Sequence, residues 1–182
     1  MIKLRELREN DAPLMLECLH DSEVQKGLKK RMMDLTLEDA VSFINKARTG
    51  KPYTTGENLH YAIADDETDQ YLGTVSLKNL DMENATAEYA IITRKQAQGS
   101  GAAFLATGLI LDKAFNEIGI HRVYLSVYSN NIPAIKLYEK SGFKYEGEFR
   151  DHFIIDGKHV GWKWYGILKE EYNKKLFSFE QC

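Results

Sequence analysis

The chain has 182 residues, of which 43% are hydrophobic and 28% charged, a size and composition that fit a single folded domain. Its 24 basic and 27 acidic residues are spread along the chain and give a net charge of -3, which excludes the large basic field of a nucleic-acid-binding protein. No apolar run approaches the roughly 20 residues of a membrane span, and the N-terminus lacks a signal peptide's apolar core. We expect a cytoplasmic protein, in which a disulfide between Cys18 and Cys182 is not favoured.

The N-terminal quarter is predicted to form one strand and two helices. Apolar and charged residues alternate over residues 1–8, as in a strand. Asp11 is predicted to cap a helix that has Pro13 in its first turn, and the apolar face that follows predicts a helix to about His20. A second helix opens at Thr36, whose side chain can cap it.

The rest of the chain alternates strands with two helices. The four strands predicted before the C-terminal hairpin cover residues 59–64, 71–80, 83–93 and 122–127. Residues 65–69 form an acidic turn whose charges we expect to be solvated rather than functional. Helical periodicity predicts a long helix over residues 101–118, which Gly119 ends, and a second helix that begins near Pro133.

A two-residue turn at Asp156-Gly157 predicts the C-terminal hairpin. In unbroken register, this turn pairs Ile155 with Lys158, Phe153 with Val160, Asp151 with Trp162 and Phe149 with Trp164. Asp151 would then lie on an aromatic and aliphatic face, where it could bind a cationic amine or simply sit at the wet edge of the sheet. His152 and His159 have no carboxylate or cysteine at ligand spacing, so we expect no metal site.

The most informative motif is a glycine loop between the predicted central strand and the long helix, around Gly99 and Gly101. The first N–H groups of a helix lack intrahelical partners, and glycines let the backbone approach a ligand, so this junction predicts a pyrophosphate site. The loop lacks the lysine of a P-loop, the third small residue of a dinucleotide fingerprint and the glycine spacing of a nucleophile elbow.

The loop does fit the pattern Q/R-x-x-G-x-G/A, as Gln96-Ala97-Gln98-Gly99-Ser100-Gly101, and resembles the coenzyme A pyrophosphate loop of the GNAT acetyltransferases. Further on, the segment from Asn131 to Phe143 resembles the second GNAT motif, N-x-x-A-x-x-L-Y-x-x-x-G-F. Residues 145–150 and the aromatic strand after them are similar to the branch of ribosomal-protein and spermidine acetyltransferases. The resemblance covers nearly the whole chain in order.

This resemblance implies an α/β (α+β) protein with the GNAT acyl-CoA N-acyltransferase fold, a central mixed, mostly antiparallel sheet flanked by helices. It implies one domain over residues 1–182, with acceptor-side helices at 11–49, an acetyl-CoA-binding core at 71–143 and a C-terminal hairpin at 143–168. Residues 24–35 would form one wall of the acceptor site.

The resemblance also implies an acetyl-CoA-dependent N-acetyltransferase, in which a primary amine attacks the thioester directly. The amine could belong to a protein N-terminus, a polyamine, an amino sugar or an antibiotic, because loops form the acceptor walls and the fold does not specify them. We expect no metal, nucleic acid or membrane partner. The residues implied to bind the cofactor are Ile91, Ile92, Thr93, Gln98, Gly99, Ser100, Gly101, Ala102, Ala103 and Asn131.

Tyr138 is predicted to be the general acid. It falls seven residues after Asn131, two helical turns later, so both can face one cleft. Its phenol, with a reference pKa of about 10, can donate a proton to a thiolate with a reference pKa of about 8.5. The alternative role of Tyr138 is packing.

Glu88, on the central strand, is predicted to be the general base. The branch that acetylates ribosomal N-termini has a glutamate where this chain has Ser126, so the base must lie elsewhere or be a water chain. The alternative for Glu88 is a carboxylate that faces solvent or a basic neighbour.

Two other functions fit parts of the sequence. Ser126 leaves open a CoA-binding module without turnover, a sensor or assembly partner, although Tyr138 and Glu88 favour an enzyme. Nucleotide-dependent phosphotransfer would need the absent P-loop lysine. Exposed edge strands make a homodimer possible.

Overall fold

The computed structural model describes residues 1–28, 32–47 and 53–177. Lys29, Lys30 and Arg31 of the predicted acceptor wall, and Cys182, lie outside these ranges. The strands are β1 (Ile2–Glu6), β2 (Leu59–Asp65), β3 (Tyr71–Asp81), β4 (Thr86–Thr93), β5 (Arg122–Tyr128), β6 (Lys144–Ile155) and β7 (Lys158–Leu168). The helices are α1 (Ala12–His20), α2 (Ser22–Gln25), α3 (Leu37–Ala47), α4 (Ala102–Asp112) and α5 (Ile132–Lys140).

The strands form one sheet in the order β1-β2-β3-β4-β5-β7-β6. All neighbouring strands are antiparallel except β4 and β5, which run parallel. The expected mixed, mostly antiparallel sheet flanked by helices is therefore confirmed.

The joint between β4 and β5 positions the site, because these strands pair over only three residues. Pairing runs from Thr86 opposite Arg122 to Glu88 opposite Tyr124. Beyond this point β4 stays paired with β3, and β5 with β7, so the two strands separate. The backbone groups on the inner edge of β4 then face a gap instead of a neighbouring strand, and can bind a ligand.

Each face of the sheet carries its own hydrophobic core. Because successive residues of a strand point to opposite faces, Tyr89 and Ile91 of β4 contribute to the core that contains α4. Ile92 packs against the second core, which contains buried residues of α1 and α3. Helix α4 is apolar around most of its circumference, and a helix of this kind is stable when most of its surface is buried.

The predicted helix over residues 101–118 forms in two parts. Helix α4 ends at Asp112 and continues as a π-helical segment, Lys113–Ile118, with wider turns. The expected stop is confirmed, since Gly119 adopts a φ of 86°, in the left-handed region where glycine carries no steric penalty.

Two of the expected roles for carboxylates need correction. Asp11 stands at the start of α1 but makes no capping bond there, because its carboxylate accepts hydrogen bonds from the Arg5 guanidinium at 2.8 Å and the Arg8 N–H at 2.9 Å. In the acidic turn, Asp69 is not simply solvated: it pairs with Lys3 at 3.2 Å, with Arg5 at 3.2 Å and with Arg8. The turn thus fastens strand β1 to the β2–β3 connection.

The C-terminal hairpin turns where predicted, but part of its predicted register is wrong. The pairs next to the turn are Ile155 with Lys158 and Phe153 with Val160, as expected. Phe149 pairs with Trp162 instead of Trp164, because β6 carries two extra residues between Phe149 and Phe153. Asp151 lies exposed in this bulge with a φ of 52°, not opposite Trp162.

Candidate active site

A cavity of about 800 Å³ opens where β4 and β5 separate. Its lining includes residues of the glycine loop and α5, of the segment 23–28 and of the tip of the β6–β7 hairpin. The predicted site residues that line it are Ile91, Ile92, Thr93, Gln98, Gly99, Gly101, Ala103, Asn131 and Tyr138. Sequence motifs more than 30 residues apart thus meet in one cleft.

The glycine loop leaves its backbone open to the cavity. Gly99 and Gly101 have φ angles of 76° and 85°, and a Cβ atom added to either would meet nothing within 4 Å. Ser100 and Ala102 shape the loop from within, since Ser100 Oγ donates to the Ala97 carbonyl at 2.8 Å and accepts from the Ala102 N–H at 3.3 Å. Ser100 Oγ thus occupies the first N–H of α4, while the absence of side chains at Gly99 and Gly101 leaves the loop backbone open to an anionic ligand.

Tyr138 is buried in the wall of the cavity, with 8% of its surface exposed. Its ring contacts Phe143, with centroids 6.1 Å apart, and the ring of Tyr89. Burial raises the pKa of Tyr138 to about 12, so its phenol keeps its proton at neutral pH and can act only as a donor or a neutral acceptor.

Asn131 joins the α5 end of the cavity to the N-terminal wall. Its side chain caps α5 by accepting from the Ala134 N–H at 3.3 Å. A Cβ atom on Gly27 would lie 3.0 Å from Asn131 Nδ2, so the chain after α2 comes close to this side chain. Tyr128 Oη also donates to the Leu28 carbonyl at 3.4 Å. These contacts hold residues 24–28 beside the cleft, and Val24, Lys26, Gly27 and Leu28 of the wall implied by the resemblance line the cavity.

Glu88 lies outside the cavity lining, at the last paired position of β4 before the gap. Its carboxylate is 3.4 Å from Lys78 Nζ and accepts from Asn79 Nδ2 at 2.8 Å. Because strand residues alternate in direction, Glu88 points to the face opposite that of Tyr89, which carries Tyr138. The two predicted proton-transfer residues are therefore on opposite sides of the sheet.

Polar atoms without hydrogen-bond partners occur beside the gap. Within the described ranges, Ser126 Oγ and Trp164 Nε1 are buried and have none, and the two residues are opposite each other in the β5–β7 register. The Trp164 ring stacks on Tyr124, with centroids 6.4 Å apart, and contacts Trp162, which lines the cavity. This wall offers aromatic surface and two polar atoms that a bound molecule could satisfy.

Other kinds of site find no support in the residues described. No group of His, Cys, Asp and Glu side chains there could hold a metal ion. None of the helices described has the length and apolar character needed to cross a bilayer. Cys18 is buried, and burial raises the pKa of its thiol to about 12, so it is not activated as a nucleophile.

A sheet that opens beside a glycine loop and a buried tyrosine is the arrangement expected of an acyl-CoA-dependent acyltransferase. The family model described as an acetyltransferase (GNAT) domain matches residues 2–144. The chain therefore belongs to the GNAT acetyltransferase family and is an acetyl-CoA-dependent N-acetyltransferase.

Curated relatives match this chain over different shares of its length. An uncharacterized N-acetyltransferase, p20 of Bacillus licheniformis, is 27% identical over 173 residues, which cover 94% of either chain. The spermidine N(1)-acetyltransferase of Vibrio cholerae serotype O1 is 32% identical over 110 residues, covering 60% of this chain and 64% of that enzyme. The chain therefore matches slightly less than two thirds of the Vibrio enzyme's sequence.

Solved structures extend the similarity of fold to nearly the whole chain. The crystal structure of spermidine N-acetyltransferase from Vibrio cholerae, in complex with CoA and spermine, superposes with a TM-score of 0.81 at 24% sequence identity. The match covers 94% of this chain and 97% of that one. At this identity the likeness establishes the fold alone.

Proposed function

We propose that this protein transfers the acetyl group of acetyl-CoA to the primary amine of a small molecule or of a protein N-terminus, and that the cavity between β4 and β5 is its active site. The observation that carries the proposal is the position of Tyr138, buried in the same cavity as the open glycine loop. One end of the cavity suits a pyrophosphate, and a neutral phenol stands farther along its wall.

The glycine loop and β4 would hold the cosubstrate through backbone groups. The open N–H groups around Gly99 and Gly101 suit the pyrophosphate, because the helix dipole adds partial positive charge there. The inner edge of Ile91–Thr93 suits an extended pantetheine arm, which can hydrogen-bond to the strand as a neighbouring strand would. An N–H on this edge could also stabilise the oxyanion that develops on the acetyl carbonyl.

Tyr138 would donate the proton that the departing thiolate requires, and the amine would lose its proton on the other face of the sheet. Glu88 faces that side, and we propose it as the base, acting directly or through water. Its carboxylate lies 3.4 Å from Lys78 Nζ. The positions of Tyr138 and Glu88 on opposite faces fit a reaction in which acceptor and cofactor approach from opposite sides.

Calorimetric titration with acetyl-CoA tests the first half of this proposal, with desulfo-CoA, NAD and ATP as comparisons. Selective micromolar binding of the CoA compounds is expected. No binding would overturn the proposal.

A panel of amines, followed by thiol release, then tests transfer. Spermidine belongs in the panel because similar proteins carry that name, and a short peptide with a free N-terminus and glucosamine represent the other acceptors. Binding of CoA without turnover on any amine would favour the alternative function, a CoA-binding module.

A further inference from the structure

Lys140, the last residue of α5, lines the cavity together with the glycine loop. Its ammonium nitrogen lies 4.6 Å from the ring centroid of Phe104, which belongs to the first turn of α4. The face of an aromatic ring attracts a cation, so Phe104 holds the lysine head group close to the start of that helix.

The charge of Lys140 is available for a ligand within the part of the chain described. No described carboxylate forms an ion pair with Lys140, whereas Lys26, which also lines the cavity, pairs with Glu23 at 2.6 Å. Arg94, which precedes the glycine loop, pairs with Glu17 at 2.9 Å. Lys26 and Arg94 are thus occupied by carboxylates, and Lys140 is the cavity-lining cation of the described ranges that can bind an anion beside the loop.

The C-terminal strap, residues 172–177, packs against Phe104 and helix α4. The rings of Phe177 and Phe104 have centroids 4.8 Å apart, and a Cβ atom on Gly108 would lie 2.3 Å from Phe177 Cγ. Tyr172 Oη donates to the Gly108 carbonyl at 3.2 Å, and Lys174 pairs with Asp112 at 3.0 Å. Gly108 therefore provides the space that lets Phe177 pack against the helix and reach Phe104.

We propose that Lys140 binds the pyrophosphate of acetyl-CoA, and that Phe177 is a positioning residue that keeps Phe104, and through it Lys140, beside the glycine loop. This inference rests on the proposed function, because it assumes that the cosubstrate occupies this cavity. An ammonium group adds full charge where the α4 N-terminus supplies only partial charges, and a phosphate oxygen accepts hydrogen bonds from both.

Calorimetric Kd values for CoA test the role of Lys140. Lys140→Met should raise the Kd about tenfold, the loss of one charge-assisted hydrogen bond to phosphate. Lys136→Met is the matched control: it removes an equal charge from the same helix at a position outside the cavity lining, and should leave the Kd within twofold. Equal effects of the two substitutions would overturn the assignment.

Dephospho-CoA, which lacks the 3′-phosphate, identifies the phosphate that Lys140 contacts. If Lys140 binds the pyrophosphate, Lys140→Met weakens the binding of dephospho-CoA by the same factor as the binding of CoA. If Lys140→Met weakened the binding of CoA but not that of dephospho-CoA, Lys140 would contact the 3′-phosphate and the pyrophosphate assignment would be overturned. A wild-type protein that binds neither compound would instead refute the proposed function itself.

Substitutions at the strap test Phe177 by two routes. Phe177→Ala removes the ring, and Gly108→Ala displaces it, so either change should raise the Kd for CoA about threefold to fivefold, whereas Phe177→Tyr should preserve it. If Phe177 acts through Lys140, the Phe177→Ala and Lys140→Met double variant binds no more weakly than Lys140→Met alone. Additive effects, or unchanged binding in Phe177→Ala, would refute the positioning role.

Discussion

The ring of Tyr138 meets the ring of Tyr89 edge-on, with centroids 5.9 Å apart and an interplanar angle of 86°. Tyr89 is itself fixed, since its hydroxyl shares a 2.7 Å hydrogen bond with Thr107 of α4. Strand β4 and helix α4, which carry the predicted cofactor contacts, thus also set the orientation of the tyrosine on α5. The proposed proton donor is positioned by the elements that would bind the cosubstrate.

Replacing Tyr138 by phenylalanine should lower kcat at least tenfold, because the ring packing survives while the proton donor is lost. The KM for acetyl-CoA should change little. Steady-state kinetics at saturating amine measures both, and Tyr145→Phe, at an exposed position, is the control. Unchanged turnover in Tyr138→Phe would remove Tyr138 from the mechanism.

Glu88→Gln should abolish the acidic limb of the pH profile of kcat/KM, because the amide cannot accept the proton of the amine. The profile from pH 5 to 9 is the measurement, and Glu83→Gln, in the turn before β4, is the control. An acidic limb that persists in Glu88→Gln would assign deprotonation to water or to another group.

His60 should make folding stability depend on pH. Burial, and the charge of Lys78, lower the pKa of His60 to about 4 from its ordinary 6.5. Below pH 6.5 the unfolded chain binds a proton that the folded chain does not, so stability falls as the pH drops from 6.5 through 4. His60→Gln should remove about 2 kcal/mol of that loss, allowing for partial exposure of the ring.

Urea unfolding at a series of pH values measures this contribution. His159→Gln, at an exposed position in β7, is the control and should leave the pH dependence of unfolding unchanged. The role of His60 would be rejected if His60→Gln lost stability with acid as steeply as the wild type.

Gly73→Ala should distort the predicted cofactor strand. A Cβ atom at this position would lie 2.3 Å from the Ile92 carbonyl oxygen and 2.9 Å from Thr93 Cα, both backbone atoms of β4. We expect a loss of about 1 to 3 kcal/mol in stability and a raised KM for acetyl-CoA. Denaturant titration and initial rates measure the two effects.

Gly166→Ala is the comparison for Gly73→Ala. A Cβ atom there approaches the ends of the Arg122 and Glu146 side chains, which can move aside. It should therefore cost less stability and leave the KM for acetyl-CoA unchanged. If Gly166→Ala raised KM as much as Gly73→Ala, displacement of β4 would not be the cause.

The sequence predicted the elements of the fold and the position of the glycine loop because these depend on local chemistry. Periodicity defines strands and helices, and the glycines at 99 and 101 allow the loop conformation whatever surrounds it. The bulge at Asp151 escaped prediction, since no glycine marks it and aspartate tolerates the left-handed region without a strong local signal. The register beyond it was wrong for that reason.

Long-range contacts could not be predicted from local patterns. The approach of Gly27 to Asn131 joins residues that are far apart in the chain, and only the folded structure brings them together. The contact between Tyr89 and Tyr138 could be predicted only in part. The alternation of side chains along β4 places Tyr89 on the face towards α4. That alternation indicates a face of the sheet, but not which ring lies against it.

The three-residue joint between β4 and β5 makes the middle of the sheet the place where the two halves are least firmly connected. A ligand that contacts both halves opposes their separation, and at a hundredfold excess over its Kd it stabilises the folded state by about 2.7 kcal/mol. Proteolytic survival would then follow the supply of acetyl-CoA.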